Sequence, residues 1–378
     1  MLPYIVVLLI AVMFGWLANI TKNADDEQVA VTTSESYLSK HDKEERKARV
    51  NIAFVLFALL AIAVLVIFEG ARKNTVGADT GTYQAEFLQA TFDTAYEKLK
   101  ELDQPGFSYI SSVILIFSKD PIHFFLVIAM LTVVLNVVPL AKYSDNFVLV
   151  IALYILTCAW TGSFNGMRQY LAGAILFAGH RLFFKRNIIG SAILIFIAYL
   201  VHKTALIMAP VFVVVFIANN KIDVKTMGLI VVGCIVMGLS SDFFFSTMTD
   251  IKGSDQSSTN YSQTSVSIFR VLVGLAPFGL FFLTTEESRK DKENAFYFIM
   301  LAVHAGFIIA TLHSAYLARA CIYTEIYVVI GLPRVVKNLN LDDRYKGLIM
   351  AAILALYFVY WCVDTNTHYV PYSWRLAI

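Results

Sequence analysis

An all-α, polytopic membrane protein is what this chain predicts, and three observations predict it. Of its 378 residues, 58% are apolar and only 15% charged, where a soluble chain would be about a quarter charged. Mean hydropathy is +0.66. Apolar runs of roughly 16–20 residues recur from Leu2 to Val363, each about the length that crosses a hydrocarbon core some 30 Å thick. No stretch between them is long enough for a large soluble domain, so residues 1–378 read as one integral membrane domain.

Twelve runs read as full spans, near 2–20, 50–68, 121–141, 146–161, 167–184, 187–201, 204–219, 226–245, 266–284, 294–312, 316–333 and 346–363. The first lacks a basic leader and a small-residue cleavage site, and is expected to be a retained helix. A further run, 107–118, has about twelve residues, which suits a re-entrant or interfacial helix better than a span. With that run not crossing, nineteen of the thirty Lys and Arg fall on one face, in loops 21–49, 142–145, 181–187, 220–225, 285–293 and 334–346. The positive-inside rule makes that face cytoplasmic and puts both termini outside, in a cell membrane.

The cytoplasmic loop 21–49 alternates charge without apolar periodicity and reads as a solvated topology anchor. The outer segment 70–120 differs. Tyr83, Phe87, Phe92, Tyr96 and Leu99 recur every three to five residues there, as in an amphipathic helix lying on a bilayer. Thirty Lys and Arg against 28 Asp and Glu give no concentrated basic face, so a nucleic-acid partner is not expected. The four cysteines sit inside apolar runs without the paired spacing of a metal or redox site. The histidines are scattered and no paired-aspartate motif lies outside, so neither a metal nor another cofactor is expected. The two halves of the chain carry no evident duplication, so an inverted-repeat transporter gains no support.

Ionisable residues at membrane depth need a partner or a purpose. This topology gathers several on the outer face. ARKNTVGADTGTY (71–83) carries Arg72, Asp79 and Tyr83; Asn165, Arg168 and Gln169 share a helical face in FNGMRQ; the break YLVHKTALIMAP carries His202 and Lys203; Arg270 opens the ninth span, and His313 and Arg319 flank the turn into the eleventh. Each alone has a plain reading. Arginines snorkel to lipid phosphate, an interfacial histidine is commonly a hydrogen-bonded one, and Gly162 with Gly166 reads first as a close-packing GxxxG. Tyr83, Tyr109, Trp160, Phe164 and the tail HYVPYSW fit an interfacial aromatic belt as well as a sugar platform. Together, on the face poorest in cations, they point to an anionic, lipid-borne substrate. Guanidinium forks hold diphosphate oxygens in pairs and remain charged, while a histidine or carboxylate can take the proton of an attacking sugar hydroxyl.

Arg72 with VGADTGTY, the QPGF of 104–107, FNGMRQYLAGAILFA (164–178) and AYLVHKTALIMAP (198–210) resemble the EpsG family of Wzy-like exopolysaccharide polymerases. The resemblance implies a bacterial capsule or exopolysaccharide polymerase with a GT-C-like helical architecture, partnered by undecaprenyl-diphosphate-linked oligosaccharide, membrane lipids and other polysaccharide export proteins. A growing glycan would pass from its lipid diphosphate to the non-reducing-end hydroxyl of another lipid-linked unit. Residues 104–106 read Gln-Pro-Gly where the pattern leads one to expect an acid, so no catalytic carboxylate is assigned there. Arg168 and Arg72, helped by Arg270 or Arg319, are expected to hold the diphosphate, with Asn165 and Gln169 orienting it and Lys203 beside the base. His202 is the preferred base; Asp79 is the alternative, equally suited to positioning Arg72. An exporter of lipid-linked oligosaccharide, or a ligase with a different acceptor, would draw on the same residues.

Overall fold

A computed structural model describes residues 1–33, 51–218, 222–252, 266–313 and 317–375, with side chains for all of these but 23–33, 238 and 241–252. The charged stretch 34–49 of the first loop lies outside the described residues. The described chain is helical with no strand. In order the helices are α1 (Leu2–Thr33), α2 (Ile52–Gly70), α3 (Thr80–Leu88), α4 (Phe92–Lys100), α5 (Pro105–Phe117), α6 (Pro121–Tyr143), α7 (Phe147–Leu156), α8 (Met167–Ala178), α9 (His180–Phe184), α10 (Ile188–Val201), α11 (Met208–Ala218), α12 (Val224–Lys252), α13 (Ile268–Phe281), α14 (Glu286–Lys290), α15 (Lys292–Ala310), α16 (Ala318–Lys337) and α17 (Asp343–Tyr369). Two 3-10 turns, Thr161–Phe164 and Lys203–Ile207, precede α8 and α11.

Among the described residues, five helices are long and apolar enough to cross a membrane: Leu2–Lys22 of α1, α2, α6, α15 and α17. This is a membrane protein by that measure. Other apolar helices are shorter, such as α7 with 10 residues and α10 with 14, about 15 and 21 Å at 1.5 Å per residue. Alone they fall short of a hydrocarbon core, so helix length and composition support five crossings among the described residues.

At the centre runs α15, buried continuously from Ala295 to Ile308. A helix apolar on all sides has no face to give to solvent, and α12, α13 and α16 enclose it. The two ends of the bundle differ. At one, the Tyr4 hydroxyl donates to the Tyr369 carbonyl (2.8 Å), the Lys73 N–H to Ser373 (2.8 Å) and the Arg375 N–H to Ala71 (2.7 Å). The two described chain ends therefore meet beside the 71–83 segment. At the other, Arg181 and Arg334 share Glu293 at 3.3 and 3.2 Å, and Lys337 pairs with Asp145 at 2.6 Å. The Lys337 ammonium holds the Asp145 carboxyl below its ordinary range by hydrogen bonding. Loops 142–145, 181–187, 285–293 and 334–346, grouped by charge alone in the sequence, are neighbours in space.

Two local expectations change. Instead of one amphipathic helix, the outer segment breaks at Gln89–Thr91, where the Thr91 side chain accepts the Thr94 N–H and starts α4 anew. The apolar row is thereby divided: Phe87 stacks on Phe124 with ring centroids 4.7 Å apart, while Phe92, Tyr96 and Leu99 are exposed. Gly162 and Gly166, moreover, do not pack two helices. They seat the ring of Tyr170, whose hydroxyl occupies the place a Cβ at Gly162 would need.

Candidate functional site

Three distant stretches, 76–86, 164–169 and 202–204, meet at the end of the bundle where the described chain ends lie. Gly77 begins the junction. Its φ of 91° is a left-handed conformation that favours glycine, and a Cβ there would sit 2.6 Å from Asn165 Oδ1. The turn lets the Ala78 N–H donate to Asn165 Oδ1 (2.7 Å), while Asn165 Nδ2 donates to the Tyr369 hydroxyl (3.2 Å). Thr80 donates to the Val76 carbonyl (2.7 Å). Asn165 is thus a strut between segments, with both ends of its amide engaged.

From this junction α3 presents Asp79, Tyr83 and Glu86, spaced i, i+4 and i+7 on one face toward Arg168. Asp79 occupies the N-cap of α3, yet its carboxylate caps no amide. The carboxyl lies open at the rim, where partial desolvation raises it above the ordinary range against the pull of Arg319 and Arg168. Arg168, at the start of α8, lies over the rings of Tyr83 (5.4 Å) and Phe107 (5.0 Å) and pairs through one guanidinium nitrogen with Glu86. Its Nε–H is buried without a hydrogen-bond partner.

His202 ends α10 and, with Thr204, begins the 3-10 turn. The Thr204 hydroxyl lies 2.8 Å from His202 Nδ1, 2.7 Å from the Tyr323 hydroxyl and 3.1 Å from Gln169 Nε2, which donates to it. The Thr204 backbone N–H also points at Nδ1, 3.3 Å away. A backbone amide can only donate, so Nδ1 accepts and the ring proton sits on Nε2. Burial, and then the charges of Arg168, Arg319 and Lys203, push the imidazole down to about 3. It is neutral at working pH, with Lys203 exposed beside it.

Asp79, Tyr83, Arg168, Gln169, His202 and Arg319 are therefore brought together. Arg72 and Arg270 are not in this group. Arg72 is fully buried, its guanidinium between the rings of Phe125 (5.1 Å) and Phe164 (4.8 Å), donating to the Glu69 carbonyl and to the Phe164 carbonyl (3.1 Å). Such a position holds a loop and has no surface to offer a ligand. Beside it Trp160 and Phe164 are buried, and half-buried Tyr372 closes the cluster by stacking on Phe68 at 3.9 Å.

Arg270 lies deeper, within electrostatic reach of Glu325, Tyr360 and Tyr170, and Tyr170 hydrogen-bonds Glu325. A cavity of about 20 Å³ opens there, lined by Thr157, Arg270, His304, Cys321 and Glu325 among others, room for about one water. Sequence reasoning passed over Glu325 and His304. A lone carboxylate in the apolar run 316–333 was the available signal. Beside the His202 turn, α10 and α11 diverge around an apolar groove of about 670 Å³, walled by Ile195, Phe196 and Tyr199 on one side and Leu206, Phe212 and Phe216 on the other.

No curated protein and no solved structure matches the chain. Arg168, His202 and Asp79 all lie within the stretch that one family model covers: over residues 55–374 the chain matches, and belongs to, the EpsG family.

Proposed function

We propose that this protein is a polysaccharide polymerase that transfers a growing glycan from undecaprenyl diphosphate to the non-reducing-end hydroxyl of a second lipid-linked repeat, at the extracytoplasmic face of a bacterial cell membrane. The observation that carries the reading is the convergence of Arg168, Arg319, Asp79 and His202 from four separate stretches of chain onto one end of the bundle. Family membership supports a polymerase-like activity. The groove beside His202 suits a substrate that is anionic at one end and hydrocarbon at the other.

In this reading the acceptor oxygen attacks the anomeric carbon, Asp79 takes the hydroxyl proton, and the bond to the diphosphate breaks with its electron pair leaving on oxygen. Arg168 and Arg319 stabilise the charge that develops there, with no metal required of them. His202, carrying its proton on Nε2, serves as a donor to substrate oxygen, and Asp79 becomes the preferred base. The shorter helices complete their passes with flanking residues in a twelve-span, GT-C-like arrangement with both termini outside, and segment 70–120 caps the site. Purified protein given one synthetic lipid-linked repeat is expected to produce a ladder of polymers, undiminished by chelator and abolished by Arg168→Ala. Vesicle uptake without a ladder would identify an exporter, and transfer only to a different acceptor a ligase.

A further inference from the structure

Arg168 has a guest already. One oxygen of Glu86 accepts from one guanidinium nitrogen, while the Nε–H is buried with no hydrogen-bond partner. Where an arginine and a carboxylate are mutually optimised, the contact is commonly two parallel hydrogen bonds. Nor does Arg168 need Glu86 to keep its place, since the Tyr83 and Phe107 rings already flank the guanidinium. Glu86 approaches from the exposed side, with 44% of its side chain accessible against 18% for Arg168.

We propose that Glu86 is the resting occupant of the anion site, a carboxylate that holds the diphosphate position and is exchanged for the substrate when it arrives. The inference rests on the reading of Arg168 as the diphosphate ligand. A partly buried guanidinium without a counter-anion is unfavourable. Glu86 neutralises it while the site is empty and selects for ligands with more oxygens and more charge than a carboxylate. With Glu86 withdrawn, a diphosphate can engage the guanidinium through more than one oxygen. A mono-anionic sugar or lipid cannot displace Glu86 to the same advantage. Glu86 is therefore a specificity-determining residue carried on the same α3 face as Asp79 and Tyr83, so its release would leave Asp79 beside the newly bound phosphates.

The test is equilibrium binding of inorganic diphosphate to the full-length protein in detergent. Glu86→Gln keeps the shape and removes the charge, and it is expected to bind diphosphate about three- to tenfold more tightly than wild type, with a matching fall in KM for the lipid-linked repeat. Glu86→Asp, too short to make the same contact but still charged, is expected to fall between the two. A merely structural surface pair would leave affinity unchanged or weaken it. Unchanged or weaker binding in Glu86→Gln, while Arg168→Ala abolishes binding, overturns the exchange and leaves the anion site intact. No diphosphate binding by wild type or by Glu86→Gln overturns the assignment of Arg168 itself, and the exchange with it.

Discussion

Two arginines that sequence alone treats alike, Arg72 and Arg168, have opposite surroundings. Arg72 donates to two carbonyls between two rings and is fully buried, whereas Arg168 reaches the rim. Arg72→Lys replaces a planar fork with a point charge that cannot span both carbonyls. It should lower stability by about 1.5 to 3 kcal/mol, the range for hydrogen bonds to a charged group, read as an earlier melting transition in detergent; Arg168→Ala should melt close to wild type. The base assignment makes a second prediction. Because His202 is held down to about 3, it does not titrate between pH 5 and 8. Asp79 must be ionised to act, and its carboxyl is raised, so polymerisation should fall as pH drops through a midpoint above the ordinary aspartate value near 3.9. Asp79→Asn should abolish that limb together with most of the activity. Persistence of the limb in Asp79→Asn would move the base elsewhere.

At the level of elements, the segment leading into α3, the Thr161–Phe164 turn and the tail after α17 are locked together by hydrogen bonds from Arg72, Lys73, Ala78 and Arg375. Gly77 provides the turn that makes the Ala78 contact possible. Gly77→Ala imposes a left-handed conformation on a residue with a Cβ, about 1 to 2 kcal/mol, and drives that Cβ against Asn165 Oδ1. The Ala78–Asn165 bond should break, α3 should lose its register against α8, and turnover should fall at least tenfold with protein yield only modestly reduced. Turnover at wild-type level would mean that α3 is positioned by Phe87 on Phe124 alone. The apolar periodicity of segment 70–120 was legible, but its division was not. A strong capping residue at Thr91 ended one helix and began another, and hydrophobic spacing carries no information about that.

For the whole molecule, the loops that charge grouped together are joined by the Glu293 and Asp145 ion pairs at one end, and the candidate site lies among the loops at the other. A single cysteine placed at Lys73 should label with an impermeant thiol reagent on intact cells, and one placed at Lys290 only after the membrane is opened. The native cysteines are buried, apart from half-buried Cys362. The reverse pattern would invert the bundle and place the site in the cytosol.

By itself the sequence determined the membrane class, the grouping of loops 142–145, 181–187, 285–293 and 334–346, and the segments that meet at the candidate site, because hydropathy and charge are summed along the chain and register wherever a run or a loop is long enough. Tertiary structure alone decided which cations face the rim. Arg72 and Arg270 are ordinary interfacial arginines in sequence. One is enclosed by Phe125, Phe164 and two carbonyls, and the other stands by Glu325 and Tyr360. These partners come from helices far away in the chain, and burial, which fixes whether a charge serves a ligand or the fold, is a property of those neighbours and of no residue alone.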